Sequence, residues 1–217
     1  MVAKKMVTPK MTTVKTPAKK RASAAAASPL GGLGAALGLI GPQATSAINL
    51  LFGEFTTELA ADICAWIINA NVADEQGEKP KSLTLMINSV GGDLSAAFAI
   101  IECMRGSKIP VHTIAMGNVC SAGLITFMNG KKGFRTITPT CSIMTHTYNT
   151  SISGNHHELL AIHKELDFTH RRILENYKRC TGLSEKVINE KLIGVQDNWL
   201  SPREALEFGM GDRISAL

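Results

Sequence analysis

This 217-residue sequence predicts an α/β domain on a partly parallel sheet. Two observations carry that expectation. Strand, crossover helix, strand units recur along the chain, and right-handed connections of this kind bury both faces of a parallel sheet. Glycines also release the chain at two strand ends, NSVGGD (88–93) and GNVCSAG (117–123).

The elements follow in order from about Ser46. INLLF (48–52) is a short apolar strand. Thr57 can cap the next helix, in which Leu59, Ile63, Trp66, Ile67 and Ala70 recur at steps of three and four. ADEQGEKPK (73–81) is a loop, and SLTLMIN (82–88) is the clearest central strand, ended by Gly91 and Gly92. Asp93 or Ser95 starts a helix carrying Ala96, Ala99, Ile100, Cys103 and Met104. VHTIAM (111–116) is the next strand; Gly117 and Asn118 make a turn, and a small-residue helix runs from near Ser121 to about Asn129. FRTIT and SIMTHTY flank Pro139 as short strands. Residues 156–179 form the longest helical pattern, with Leu159, Ile162, Leu166, Ile173 and Tyr177 on or near one stripe. Such an arm fits across its own sheet or against a second subunit. Ser184 opens a short helix. Ser201-Pro202-Arg203-Glu204 supplies the serine cap, first-turn proline and capping-box carboxylate of a last helix that stops at Gly209.

Charge divides the chain. Residues 1–53 hold seven of the 23 basic residues and no acidic one, so the remainder carries 16 basic against 18 acidic residues. Residues 1–45 read as a basic, Ala/Gly-rich tail, disordered or processed, and residues 46–217 as one folded domain. The tail's longest run without charge or proline is too short to span a bilayer. Neither nucleic acid nor a stable membrane span is expected. The five cysteines are scattered without a CxxC pair, which points to reduced thiols in the cytoplasm rather than to disulfides or structural zinc. No GxGxxG, Walker, HExxH or EF-hand pattern occurs, so no cofactor or metal is expected.

Chemistry is expected where strand ends meet helix starts. Ser121 follows an apolar strand and turn and opens a helix, a placement like that of a nucleophile elbow without the GxSxG spacing. A serine needs a base, and His146 lies in the strand pattern SIMTHTY; His156, His157, His163 and His170 sit along the charged arm. Asp197, in a loop before the last capped helix, is the candidate carboxylate to orient the imidazole. The residue pattern alone also admits Ser121 as a helix cap or tight-packing residue, His146 as a satisfied buried histidine, Asp197 as a loop or cap residue and the glycine pair as a turn.

Together, INSVGGD, MGNVCSAG, SIMTHTY and DNWLSPREALEFGMGDRI resemble the proteolytic subunit of the Clp protease family, whose corresponding segments run close to INSPGG, GxAASMG, MIHQP and DRDxFMSAxEAxxYGLID. The resemblance covers about residues 48–215. It implies a crotonase-like fold of ββα-type parallel repeats, with the helix over about 156–179 protruding as a handle. It implies a serine endopeptidase with Ser121 as nucleophile, His146 as general base and then acid, and Asp197 orienting it. The backbone N–H groups of Gly92 and Ala122 would form the oxyanion hole. It further implies a heptameric ring stacked through the handles into a tetradecamer, fed unfolded polypeptide by an ATP-driven AAA+ unfoldase, while the subunit itself binds neither ATP nor metal.

The sequence departs from the family pattern at several positions. Ala122 stands for the usual methionine, Val90 for proline, Val119-Cys120 for small alanines and Thr147-Tyr148 for Gln-Pro. A basic tail occupies the place of the pore loop and first helix. These departures suit a divergent paralogue or a virus-encoded relative that processes capsid or scaffold proteins. Other readings are a catalytically silent ring or scaffold subunit, a crotonase-like enzyme acting on an acyl thioester, and a serine-lysine peptidase using Lys131 or Lys132.

Overall fold

The structure, a computed structural model, describes residues 46–72 and 80–217. The expected tail over 1–45 and most of the expected loop over 73–81 lie outside the described residues.

Strands and helices alternate singly through the first half: β1 (Ile48–Phe55), α1 (Thr57–Val72), β2 (Leu83–Gly92), α2 (Leu94–Gly106), β3 (Val111–Cys120) and α3 (Ala122–Met128). The second half is β4 (Arg135–Ile137), β5 (Ser142–Thr145), α4 (His156–Thr181), α5 (Glu185–Lys191), β6 (Asn198–Leu200), α6 (Pro202–Glu207) and β7 (Arg213–Ile214). The main sheet has the order β1-β2-β3-β4-β7, with every neighbouring pair parallel. This is the α/β fold with a parallel sheet that the strand and helix alternation predicts.

One face of the sheet carries the core. In β2, Leu83, Leu85 and Ile87 are fully buried while Thr84, Met86 and Asn88 between them are half-buried, the two-residue period of a strand. α1 and α2 press Ile63, Ile67, Ile100 and Ile101 against the buried face, and α3 adds Leu124 and Phe127. The Asp93 carboxylate accepts bonds from Ser95 and Ala96 N–H, so Asp93 is the cap of α2. At α1 the cap lies one residue earlier than expected: Thr56 Oγ1, not that of Thr57, accepts from Leu59 N–H.

The strands run on through glycines that the sequence reads as stops. β3 continues past Gly117 and Asn118, which lie within the strand rather than in a turn. Gly117 has φ +62°, and Asn88 Oδ1 packs where its Cβ would stand while accepting from Asn118 N–H. The result is an irregularity between Ile87 and Ser89 in the β2–β3 register. It divides β3: Thr113–Ala115 pairs with β4, and Asn118–Cys120 pairs with β5.

α4 begins with a capping box between Asn155 and Glu158 and ends at Gly182, φ +78°. Its buried residues, Thr169, Ile173, Leu174, Asn176 and Tyr177, all lie in the C-terminal half. The first three turns leave Leu160 57% exposed and bury nothing, so this half of the helix stands away from the domain's own core. Among the described residues no helix is long and apolar enough to cross a membrane.

Candidate active site

Ser121 joins β3 to α3 at φ 52° and ψ −122°, the one non-glycine residue with positive φ among those described. Its backbone is held at both ends. The N–H donates to Met144 O at 3.1 Å, and its carbonyl accepts from Ile125 N–H at 3.0 Å. The side chain makes no capping bond to α3, which removes the cap reading. Instead Oγ lies 2.8 Å from His146 Nε2.

The sheet register delivers the other two groups. β5 lies between β3 and β6, paired in parallel through Cys120↔Met144 and antiparallel through Thr145↔Asn198. Stepping one residue along the second ladder sets His146 beside Asp197. His146 Nδ1 stands 3.3 Å from Asp197 Oδ1, with the imidazole mostly buried and the carboxylate 58% exposed. Three side chains far apart in sequence therefore form one line of contacts, with the imidazole between hydroxyl and carboxylate. Such a line can move a proton off the hydroxyl and stabilise the imidazolium that results.

Close packing of glycine against the serine shapes the opposite wall. A Cβ on Gly91 would stand 2.8 Å from Ser121 Cβ and 3.3 Å from Ala122 N, and one on Gly92 would meet the Phe55 backbone at 2.6 Å. Both glycines have positive φ, +108° and +139°. Only glycine lets the end of β2 approach so near. Ala122 is fully buried and is the first residue of α3, so its N–H has no acceptor within the helix.

A cleft of 420 Å³ opens at Ser121 and His146, and Gly92 lines it. Val90 and Asp93 of NSVGGD and Leu94 and Ser95 at the start of α2 line it too; the sequence does not place the remaining wall. Tyr148, Asn149 and Thr150 come from the loop after β5, and Glu165, Leu166 and Thr169 from α4. Tyr148 OH donates to Leu166 O at 3.0 Å and ties that loop to the helix. The only sequence signal was the pair Thr147-Tyr148 after the histidine; the strand period there gives no hint that a helix begun ten residues later returns to the site.

The model of the Clp protease family matches residues 43–216. The chain belongs to the Clp protease family. Among its relatives are ATP-dependent Clp protease proteolytic subunit 1 of Streptomyces avermitilis and ATP-dependent Clp protease proteolytic subunit 3 of Streptomyces coelicolor. Each is 31% identical over 166 residues, spanning 76% of this chain and 74% of the relative.

Within this family member, two competing nucleophile and base choices fail on placement. Cys120, next to Ser121, is 1% exposed, and burial pushes its thiol up from the ordinary range, so little thiolate is available. Lys131 N–H bonds Val111 O at the start of β3, whereas Ser121 follows its end. Ten residues of strand separate the two by about 30 Å. Lys131, and Lys132 next to it, are therefore too far from Ser121 to serve as its base.

Proposed function

We propose that the protein is a serine endopeptidase of the Clp type, in which Ser121, His146 and Asp197 act as the catalytic triad. The single observation that carries this reading is the unbroken contact line Ser121 Oγ, His146 Nε2, His146 Nδ1, Asp197 Oδ1, at 2.8 and 3.3 Å. Ser121 Oγ attacks a peptide carbonyl as His146 takes its proton. The backbone N–H groups of Gly92 and Ala122 bind the developing oxyanion, and the positive end of α3 adds to the field there. His146 then protonates the leaving amine and afterwards activates the water that cleaves the acyl-enzyme. An acyl-thioester enzyme of the same fold would leave this triad without a task.

Peptide hydrolysis at this site needs no ATP. The two relatives are named as proteolytic subunits of an ATP-dependent protease, which fits a subunit served by a separate ATP-driven unfoldase; a heptameric ring, stacked in pairs, in the cytoplasm is the assembly that membership of the family suggests. The protruding half of α4 is the surface suited to joining two rings.

A fluorophosphonate probe followed by intact-mass measurement and peptide mapping tests the assignment. The expected adduct is single and on Ser121, and Ser121→Ala loses it while keeping the native mass of the assembly. Undiminished labelling of Ser121→Ala defeats the reading.

A further inference from the structure

The turn that leads to Asp197 is gripped by the two residues that flank His146. Both carry hydroxyls, and both reach the chain that follows α5. Thr145 Oγ1 donates to Leu192 O at 2.9 Å, and Thr147 Oγ1 donates to Ile193 O at 2.6 Å and Gly194 O at 3.1 Å. Alternate residues of an extended chain face the same way, so Thr145 and Thr147 share one side, and His146 on the other is free to meet Ser121. The two threonines are placed differently. Thr145 is fully buried, and since its one proton goes to Leu192 O, its oxygen accepts from Tyr177 OH at 2.6 Å. Thr147 is exposed, and the two carbonyls of the turn are the only hydrogen-bond partners of its hydroxyl among the described residues.

The far end of the same loop is closed. Asn198 pairs with Thr145 in the β5–β6 ladder, and its Nδ2 donates to Lys191 O at 2.7 Å across the base of the loop. Between Gly194 and Asp197 stand only Val195 and Gln196, both exposed, so packing does not hold that stretch. The Asp197 carboxylate is itself more than half exposed where it meets His146 Nδ1. It is thus placed by where its loop is pinned and not by a wall around it. Buried Ile193 anchors the turn through its side chain, and the Thr147 hydroxyl fixes the direction of the carbonyls there.

We propose that Thr147 is a positioning residue for the chemistry at Ser121: its hydroxyl holds the carbonyls of Ile193 and Gly194 so that Asp197 keeps its contact with His146 Nδ1. A displaced carboxylate leaves the imidazole free to turn away from Ser121 Oγ, and a misplacement of about 1 Å can cost such a site about 10²-fold in rate. This inference rests on the serine-peptidase reading above.

The rate at which a fluorophosphonate labels Ser121, read by intact mass on the full assembled chain, tests it. In that reaction Ser121 Oγ bonds to phosphorus, fluoride leaves and the serine proton passes to His146. Thr147→Val keeps the branched shape and removes the hydroxyl. It is expected to lower the limiting rate at saturating probe about tenfold. The half-saturating concentration should not change, because Thr147 faces the turn and does not line the cleft, although His146 and Tyr148 on either side of it do. Thr147→Ser keeps the hydroxyl and should stay within about twofold of the unaltered protein. Asp197→Asn is slow by itself and is followed over hours; adding Thr147→Val to it should slow labelling no further, because the two residues act through one contact. A merely structural role for Thr147 would slow both backgrounds alike. Full-rate labelling of Thr147→Val, an equal loss in the Asp197→Asn background, an effect on the half-saturating concentration alone, or a Thr147→Ser protein as slow as Thr147→Val overturns the inference. Any of these with Ser121 still labelled defeats this inference alone, whereas no labelling of Ser121 in the unaltered protein defeats the peptidase reading and this inference with it.

Discussion

Ser121 occupies a backbone region that costs an L-residue about 1–3 kcal/mol, and two main-chain hydrogen bonds hold it there. The conformation turns Oγ out of the strand-to-helix corner toward His146. Since the strain belongs to Cβ, it should persist in Ser121→Ala and relax in Ser121→Gly. Neither variant can form the adduct, but the glycine variant should be the more stable by about 1 kcal/mol, read as denaturation midpoints at equal protein concentration. The opposite order would mean that the corner is not strained by its side chain. The position of Ser121 was legible because an apolar strand, a glycine and a helix start surround it. The corner itself was read four residues early, at Gly117-Asn118, because a glycine with positive φ marks a kink inside a strand as well as a turn. Glu165 was not legible as a site residue at all: charged helix positions read as solvent-facing, and only the tertiary contact of Tyr148 OH with Leu166 O brings that turn of α4 to the cleft.

At the scale of elements, the proposed triad is a matter of register. β5 must pair with β3 for His146 to reach Ser121, and β6 must pair with β5 for Asp197 to reach His146. The strands β6 and β7 were invisible in the sequence. Each is only three or two residues long, and Trp199 in β6 is exposed, so neither has a period to read. The anchorage of β7 is polar. Arg135, 3% exposed, bonds Asp212 through Nε at 3.0 Å and Nη2 at 2.7 Å, and its Nη1 reaches Cys180 O at the end of α4. Asp212 Oδ2 also accepts from the N–H groups of Gly133 and Arg135. Burial alone would raise the Asp212 carboxyl, but the bonds from Arg135 and Gly133 outweigh it and hold the group below the usual aspartate range. Its contribution to stability is therefore complete above that range, about pH 4, and is lost as pH falls through the range toward the folded value. Asp212→Asn leaves the buried guanidinium without its counter-charge and should cost about 3 kcal/mol at pH 7. Its stability should also fall less steeply than that of the unaltered protein below about pH 4. Parallel acid limbs in denaturant titrations of the two proteins would refute the linkage.

For the whole molecule, the contrast within α4 sets the expectation. Its second half buries Ile173, Leu174 and Tyr177 against the domain, and the Tyr177 phenol, pushed up to about 12 by burial, shares a 2.6 Å hydrogen bond with Thr145 Oγ1. Its first half buries nothing, although the hydrophobic stripe continues through Leu159, Ile162 and Leu166, and Leu160 and Phe168 remain exposed. A 26-residue helix of this amphipathic character wants a partner along its full length. If two rings meet there, a charge on the stripe's exposed edge acts on assembly and not on the fold. Leu160→Glu, at a position 57% exposed in the single subunit, should change subunit stability by no more than about 0.5 kcal/mol. It places an unpaired carboxylate in each copy of the apolar contact, however, and symmetry repeats that cost around the ring. The expected native mass is half that of the unaltered assembly, with Ser121 remaining in its strained corner. A Leu160→Glu protein that keeps the full native mass would show that the rings, if they stack, do so through another surface.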